Sequence, residues 1–282
     1  HNNRHAVAYS NFIHAIGCNG NFNVNNCAFD GGHQSVLKAH GIYQKLTSVV
    51  GKNQISVKYM RPNCYNFDYY NVDDIIQFVN KISLFPIEEN QIVDIQEIGV
   101  NETLLTLKYD ISHKVKSNVG HCVVDNLNKN TANINFYDNK IYNICTAALE
   151  ISTLGKNTIK NNLFFKTQGA AISISNDGQR SMESSRTKNL TIAKNNFVEC
   201  HEPVISICPK ALRNIAYVNY NIVIDNNNFT LKNKTALSLK STKGVVFSNN
   251  YISIESRNNI ISKNCANIAF DNTKYSQEMD KA

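Results

Sequence analysis

The sequence predicts an all-β fold, a right-handed parallel β-helix that carries a small inserted antiparallel β-barrel. Two observations predict the β-helix, namely the high content of Asn and the regular spacing of the segments that contain it. Asn makes up 44 of the 282 residues and recurs in one context, as part of a pair of Asn or Asp residues before a large apolar residue. These apolar anchors are Ile141, Phe164, Phe197, Phe229 and Ile252, at intervals of 23, 33, 32 and 23 residues. A period in the low twenties without amphipathic helices is typical of a β-solenoid.

The Asn pairs have a structural explanation in such a fold. Asn at a bend tolerates a left-handed backbone and bonds to nearby backbone groups, and stacked Asn side chains can form ladders between rungs. Val, Ile, Phe and Thr alternate at period two around the pairs, as in strands with one buried face. We therefore expect a pectin-lyase-like solenoid with the Asn pairs at its corners.

The Asn repeat is interrupted between residues 42 and 119, where alternating segments are separated by turn residues. This pattern predicts the antiparallel strands of a small barrel. The expected organisation is β-helix rungs over 1–41, the barrel over 42–119, further rungs over 120–275 and a disordered tail over 276–282. Extra length at 176–186 and near 209–218 predicts loops on one side of the solenoid, where binding faces often lie.

Composition narrows the function classes. The net charge of +7 comes from 29 basic and 22 acidic residues that are scattered singly, which argues against nucleic-acid binding. No apolar run is long enough for a membrane span. The eight cysteines show no metal-binding spacing, so we expect free, mostly buried thiols and no metal or other cofactor, with disulfides left open. The chain begins without Met or a signal-like segment, which indicates a fragment or a processed form.

A stretch between two apolar segments has the composition of a catalytic loop, since residues 30–43 read DGGHQSVLKAHGIY. This stretch and its neighbours resemble the β-helix α-1,3-galactosidases of glycoside hydrolase family 110, over residues 9 to about 251. The family reads D-A-x-H-C, N-C-T-F and G-Q-G-D-D-A-x-N-x-H-G-x-Y before an inserted barrel. This chain reads NFIH at 11–14 followed by Cys18, NCAF at 26–29, and GGHQSVLKAHGIY at 31–43. The family segment G-D-A-N-x-W-Y-E-S-G falls on 176–185.

The resemblance implies a galactoside ligand and favours an extracellular or periplasmic location, but the acidic residues that it implies for catalysis are replaced. The positions that match the family's three aspartates are Asn11, Gln34 and Ser35. An amide or a hydroxyl cannot replace the carboxyl pair of a glycosidase, and losing one such group costs several orders of magnitude in rate. The family's Trp-Tyr pair falls on 181–182 as Ser-Met, and its arginines fall on 145–147 as Cys-Thr-Ala. No intact catalytic set is therefore predicted.

Other polar residues of the matching segments are candidates for binding a ligand in the groove. They are His14, His33, His40, Asp177, Glu183 and Asp30. Each also has a purely structural explanation, because a histidine can bond to turn backbone and a carboxylate can order its own loop. His33 could donate to a sugar hydroxyl.

Three functions stay open from the sequence. The leading hypothesis is a carbohydrate-associated relative of α-1,3-galactosidases that is catalytically impaired or binds glycans without hydrolysis. The second is an active glycosidase whose carboxylates are relocated to Asp30, Asp177 and Glu183. The third is a structural or partner-binding solenoid. The oligomeric state is not predicted.

Overall fold

The computed structural model describes residues 8–60, 68–213, 215–232, 235–254 and 256–276, and strands dominate them. The first rungs contain β1 (Ile13–Ile16), β2 (Asn21–Asn25), β3 (Ala28–Asp30) and β4 (Leu37–Ile42). The inserted region contains β5 (Gln44–Val49), β6 (Gln54–Lys58), β7 (Ile75–Asn80), β8 (Phe85–Gly99), β9 (Glu102–Leu107), the short helix α1 (His113–Lys116), a 3₁₀ turn (Val119–His121) and β10 (Cys122–Asn126). The later rungs contain β11 (Asn133–Tyr137), β12 (Lys140–Ile144), β13 (Leu149–Ser152), β14 (Asn157–Lys160), β15 (Leu163–Thr167), β16 (Ile172–Ile174), β17 (Glu183–Ser184), β18 (Lys188–Ala193), β19 (Asn196–Val198), β20 (Ile205–Ile207), β21 (Asn219–Asp225), β22 (Asn228–Thr230), β23 (Leu237–Lys240), β24 (Thr242–Ser248), β25 (Tyr251–Ile252), β26 (Ile260–Lys263), β27 (Ala266–Asp271) and β28 (Lys274–Tyr275).

Three parallel sheets form the walls of the solenoid, and the chain visits them in turn. Sheet 1 has the order β1-β4-β13-β16-β20-β23-β26, with β17 added antiparallel to β4. Sheet 2 has the order β2-β11-β14-β18-β21-β24-β27, and sheet 3 has the order β3-β12-β15-β19-β22-β25-β28. The predicted parallel β-helix is thus confirmed.

The apolar anchors stack as the repeat predicts. Phe164 pairs in register with Ile141 and Phe197, and Phe229 pairs with Phe197 and Ile252. All five side chains are buried. The rings of Phe164, Phe197 and Phe229 stack at centroid distances of 5.1 and 5.0 Å, which is within the favourable range for aromatic pairs.

The Asn residues form the expected ladder at the corner before sheet 3. The Nδ2 atom of Asn162 donates to Oδ1 of Asn195 (2.9 Å) and to the backbone oxygen of Phe136 (3.0 Å). The same two kinds of bond are made by Asn139, Asn195 and Asn227 with their own neighbours. The ladder satisfies buried amides that a tight corner would otherwise leave unpaired.

The inserted region is a closed antiparallel barrel in the order β10-β5-β6-β9-β8-β7. It enters after β4 and leaves before β11, so the second rung consists of β4, β11 and β12. The closing strand is β10, Cys122–Asn126, which lies beyond residue 119, the predicted end of the barrel. Its five residues are all buried, because β10 pairs with both β5 and β7 while it rests on the solenoid. This double burial removes the alternation from which a strand is recognised in sequence.

Both long loops lie at the corner where the barrel is inserted, between sheet 1 and sheet 2. Met182 of the first loop and Ala211 and Val218 of the second pack in one apolar cluster with Val79 and Leu84 of the barrel region. The backbone N–H of Leu212 donates to the oxygen of Ile82 (2.8 Å). The extra length predicted from the sequence therefore supports the barrel.

Three further expectations concern the ends, the membrane and the cysteines. Ser276 donates its backbone N–H to Ile252, and the rest of the predicted tail, 277–282, lies outside the described residues. Within the described ranges, no helix is long and apolar enough to cross a membrane. Seven of the eight cysteines are described and are free thiols, of which Cys122 and Cys200 are buried and Cys27 and Cys145 are exposed.

Candidate functional site

The outer face of sheet 1 carries Lys38 and His40, which belong to residues 30–43, here called the candidate loop. Side chains alternate along β4, so Leu37 and Ala39 enter the core while Lys38 and His40 point outward. In-register pairing sets His14 of β1 and Glu150 of β13 on either side of Lys38. The loop that holds β17 reaches this face, since β17 pairs with Gly41 and Ile42 and its Glu183 contacts Lys38.

Lys38 holds two carboxylates together. Its Nζ atom lies 3.0 Å from Oε1 of Glu183 and 3.3 Å from Oε2 of Glu150. The hydroxyl of Ser35 donates to Oε1 of Glu150 at 2.5 Å. Ser35 itself is completely buried. This network joins loop, strand and neighbouring rung through charge-assisted bonds.

The space at this network is very small. The cavity bounded by Lys38, His40, Glu150 and Glu183 has a volume of about 10 Å³. That is about the volume that one water molecule needs, whereas small-molecule pockets typically measure about 300–1,000 Å³. The cavity itself is therefore too small to enclose a sugar ring.

The two candidate histidines contact each other. The Nε2 atoms of His14 and His40 are 3.0 Å apart, and Nδ1 of His40 lies 2.7 Å from the oxygen of Gly41. Burial lowers the pKa of His40 from 6.5 to about 4, against an opposing effect of the Glu183 charge. Neutral His40 must use its Nδ1–H toward the carbonyl, so its Nε2 atom accepts a hydrogen bond from His14.

Asp177 orders its own loop. Its carboxylate accepts backbone bonds from Gln179 (2.8 Å), Arg180 (3.0 Å) and Ser181 (3.2 Å), and Lys210 lies 3.8 Å away. Burial raises the pKa of Asp177, but these backbone bonds outweigh that effect and hold the pKa below its usual value. Asp177 and Glu183 exchange both backbone hydrogen bonds, which places the two residues side by side.

The other candidates lie apart from Lys38. Asp30 is on β3 of sheet 3, where its carboxylate accepts a bond from Asn143 (2.8 Å). His33 is exposed and stacks on Tyr9 with ring centroids 5.3 Å apart. Gln34 is exposed beside it.

Asn11, the third position that matches a family aspartate, has a structural contact. Its Oδ1 atom accepts the backbone N–H of Ser35 at 3.1 Å. This bond ties the segment before β1 to the turn that precedes β4.

Sequence reasoning missed Glu150 and Lys38, the centre of the network. The spacing could have shown that these two residues are neighbours, because Lys38 follows Phe29 by nine residues and Glu150 follows Ile141 by nine. Phe29 and Ile141 are paired anchors of adjacent rungs. The barrel between them hid this relation by separating Ser35 from Glu150 by 115 positions.

A metal has no evident place in this site. Within the described part of the chain, no group of three or more His, Cys, Asp or Glu side chains could hold a metal ion. The site offers a lysine that bridges two carboxylates, and a neutral His40 that contacts His14.

Comparison with known proteins supports the sequence resemblance. Residues 54–118 match a family model described as the GLAA-B β-barrel domain II. The chain is 28% identical over 241 residues to α-1,3-galactosidase A of Akkermansia muciniphila, covering 84% of this chain and 39% of that protein. It is 26% identical over 248 residues to α-1,3-galactosidase A of Bacteroides thetaiotaomicron, covering 87% and 43%. It is also 26% identical over 267 residues to α-1,3-galactosidase B of Parabacteroides distasonis, covering 88% and 43%.

The predicted resemblance to α-1,3-galactosidases is confirmed by these relatives, and the chain spans 39 to 43% of their length. Among solved structures, the tailspike Gp54 of Acinetobacter baumannii bacteriophage AP22, in complex with capsular saccharide, matches with 11% identity and a TM-score of 0.34, covering 96% of this chain and 52% of that one. The tailspike gp49 from Pseudomonas phage LKA1 matches with 10% identity and a TM-score of 0.25, covering 92% and 49%.

Proposed function

We propose that this chain is a glycan-binding relative of the α-1,3-galactosidases that does not hydrolyse galactosides. One observation carries the proposal: the three positions that match the family's aspartates hold Asn11, Gln34 and Ser35, and two of these side chains make structural hydrogen bonds. Glycoside hydrolysis requires one carboxyl group to protonate the leaving oxygen and a second to act as base or nucleophile.

The contacts of Ser35 support the loss of catalysis. Its hydroxyl donates to Glu150, so position 35 contributes a neutral hydrogen-bond donor where hydrolysis would use a second carboxyl group. Lys38 partly compensates Glu150, yet it also pairs with Glu183. The network is thus balanced around a hydroxyl at position 35, and the cavity of about 10 Å³ beside it is too small to enclose a sugar ring.

The three carboxylates that a relocated active site would use, those of Asp30, Asp177 and Glu183, already have structural partners. Asp177 is buried and bound by three backbone N–H groups, which favours a permanently charged structural carboxylate over a proton donor. Glu183 is paired with Lys38. Asp30 lies on another sheet, bonded to Asn143. These contacts support a binding protein over an enzyme.

The test is hydrolysis of an α-1,3-linked digalactoside by the purified chain, followed by chromatography of free galactose. The α-1,3-galactosidase A of Akkermansia muciniphila serves as the positive control. We expect no release above the blank, together with binding of the same disaccharide in a calorimetric titration.

Release above the blank contradicts the proposal. Loss of that release in Asp177→Asn and Glu183→Gln would identify the relocated-carboxylate enzyme. Neither release nor binding, with a defined protein captured instead, would identify the partner-binding solenoid.

A further inference from the structure

A second feature of the solenoid offers far more space than the network at Lys38. A cleft of about 400 Å³ runs along the corner between sheet 3 and sheet 1, and its lining includes Asn143, Lys166, Gln168, Glu199, His201 and Lys232. Its volume falls within the range of small-molecule sites. Of these residues, only Glu199 stands out in the sequence, as a carboxylate in a loop position.

The cleft follows from the rung repeat. Asn143, Lys166 and Glu199 each follow an in-register strand residue of sheet 3, and each has a left-handed backbone, with φ of 53°, 57° and 51°. Rungs are about 4.8 Å apart, so the three side chains emerge at successive levels of one corner. Gly31, with φ of 68°, occupies the same corner one rung earlier.

The cleft is continuous with the candidate loop. The backbone N–H of Gly31 donates to Tyr142 (3.2 Å), and that of Cys145 donates to Gly32 (2.9 Å). Cys145 is exposed and lines the cleft, at a position where the family resemblance places an arginine. Asp30 borders the same end through its bond with Asn143.

The charges in the cleft balance. Glu199 lies 3.1 Å from Nζ of Lys232 and 3.9 Å from Nζ of Lys166. Glu202 accepts the backbone N–H groups of Lys232 (3.0 Å) and Thr235 (2.7 Å). Two ammonium groups thus accompany two carboxylates, which leaves the cleft without net charge and disfavours a strongly anionic ligand.

The exposed groups suit a ligand with many hydroxyls. A hydroxyl both donates and accepts, so adjacent hydroxyls can donate to a carboxylate while they accept from an ammonium group. Glu199 and Lys232 offer this pair, and the amides of Asn143 and Gln168 offer both functions. We propose that this cleft binds a neutral oligosaccharide, so that the glycan contacts of this protein extend along the corner from the candidate loop to Glu199 and Lys232. The inference shares with the proposed function the class of ligand, and its test measures location of binding, not hydrolysis.

The first test leaves the protein unmutated. Cys145 lies in the cleft, and Cys27 is also exposed but lies outside it. Alkylation by iodoacetamide, followed by peptide mass spectrometry, is run with and without the α-1,3-linked digalactoside. We expect the saccharide to slow alkylation of Cys145 several-fold and to leave Cys27 unchanged. Equal alkylation of Cys145 at saturating saccharide overturns the proposal.

The second test measures affinity. Glu199→Gln and Lys232→Met are expected to weaken binding of the disaccharide roughly tenfold or more, the factor typical of losing a hydrogen bond to a charged group. Asp94→Asn on the barrel and Lys156→Met at another corner are the matched controls and should bind as the unmodified protein does. Unchanged affinity in both cleft variants, no binding of any neutral saccharide, or a preference for an oligogalacturonate over the neutral sugar each overturns the proposal. Hydrolysis with intact cleft binding would instead overturn only the proposed loss of catalysis.

Discussion

Asp125 makes stability depend on pH at the junction of the barrel and the solenoid. It lies on β10, is buried, and has the hydroxyls of Ser184 and Ser185 beside it. Its Oδ1 atom has no hydrogen-bond partner among the described residues. Burial raises its pKa from 3.8 to about 6, against the opposing effects of the two serines and Arg186.

The sign follows from which state holds the proton. Between pH 3.8 and about 6 the folded protein keeps Asp125 protonated while the unfolded chain has released that proton. The folded state then binds more protons, so stability falls as pH rises through this window and the full cost is present above it. About 2 pKa units at 1.36 kcal/mol each gives a cost of about 3 kcal/mol.

Asp125→Asn removes this titration. We expect the free energy of unfolding of the variant, minus that of the unmodified protein, to increase by about 3 kcal/mol between pH 3.5 and pH 7.5. The measurement is urea denaturation followed by circular dichroism at half-unit pH steps. Any lost hydrogen bond to the serines adds a constant offset, so the slope with pH is the diagnostic quantity.

Two comparisons isolate Asp125. His40 titrates in an overlapping window with the opposite sign, because its folded pKa is lowered to about 4, but it is present in both proteins and cancels in the difference. Asp94→Asn, at an exposed position of β8, removes a carboxylate that is not buried and is the control for the effect of burial. A flat or descending difference for Asp125→Asn would refute the burial argument.

Two further variants test the networks that hold the rungs together. Lys38→Met removes the cation shared by two carboxylates and should lower the free energy of unfolding at pH 7 by about 2 kcal/mol. The loss is smaller than for a fully buried pair because the Lys38 side chain is 18% exposed. A loss no greater than that of the exposed control Lys156→Met would contradict the bridging role. Asn195→Ala removes a buried link of the Asn ladder and should cost about 3 kcal/mol in the same denaturation assay, since several polar groups lose their partners. Its exposed neighbour, in Asn196→Ala, should change stability by less than about 0.5 kcal/mol, and equal losses would show that the ladder adds nothing.

Much of the fold was readable in the sequence because solenoid structure is local and repetitive. Each rung places its anchor and its Asn pair at the same corner. The spacing of the anchors therefore predicted that the rings of Phe164, Phe197 and Phe229 stack. The barrel was visible as an interruption of that repeat. Its last strand was not, because β10 is buried along its whole length and shows no alternation.

The site was less readable, because its contacts join different rungs. Asp30 and Lys38 are only eight residues apart but lie on different sheets, since a corner separates them. Ser35 and Glu150 are 115 positions apart and share a hydrogen bond.

The sequence alone determined the period, the corner residues and the place of the insertion, and it predicts that Asn11, Gln34 and Ser35 replace the family's aspartates. All of these are properties of local segments. Only the tertiary structure decided that Lys38 joins Glu150 and Glu183, that the long loops support the barrel, and that an open cleft lies beside Glu199. The reason is the backbone pairing between rungs, which fixes neighbours by register and not by distance along the chain.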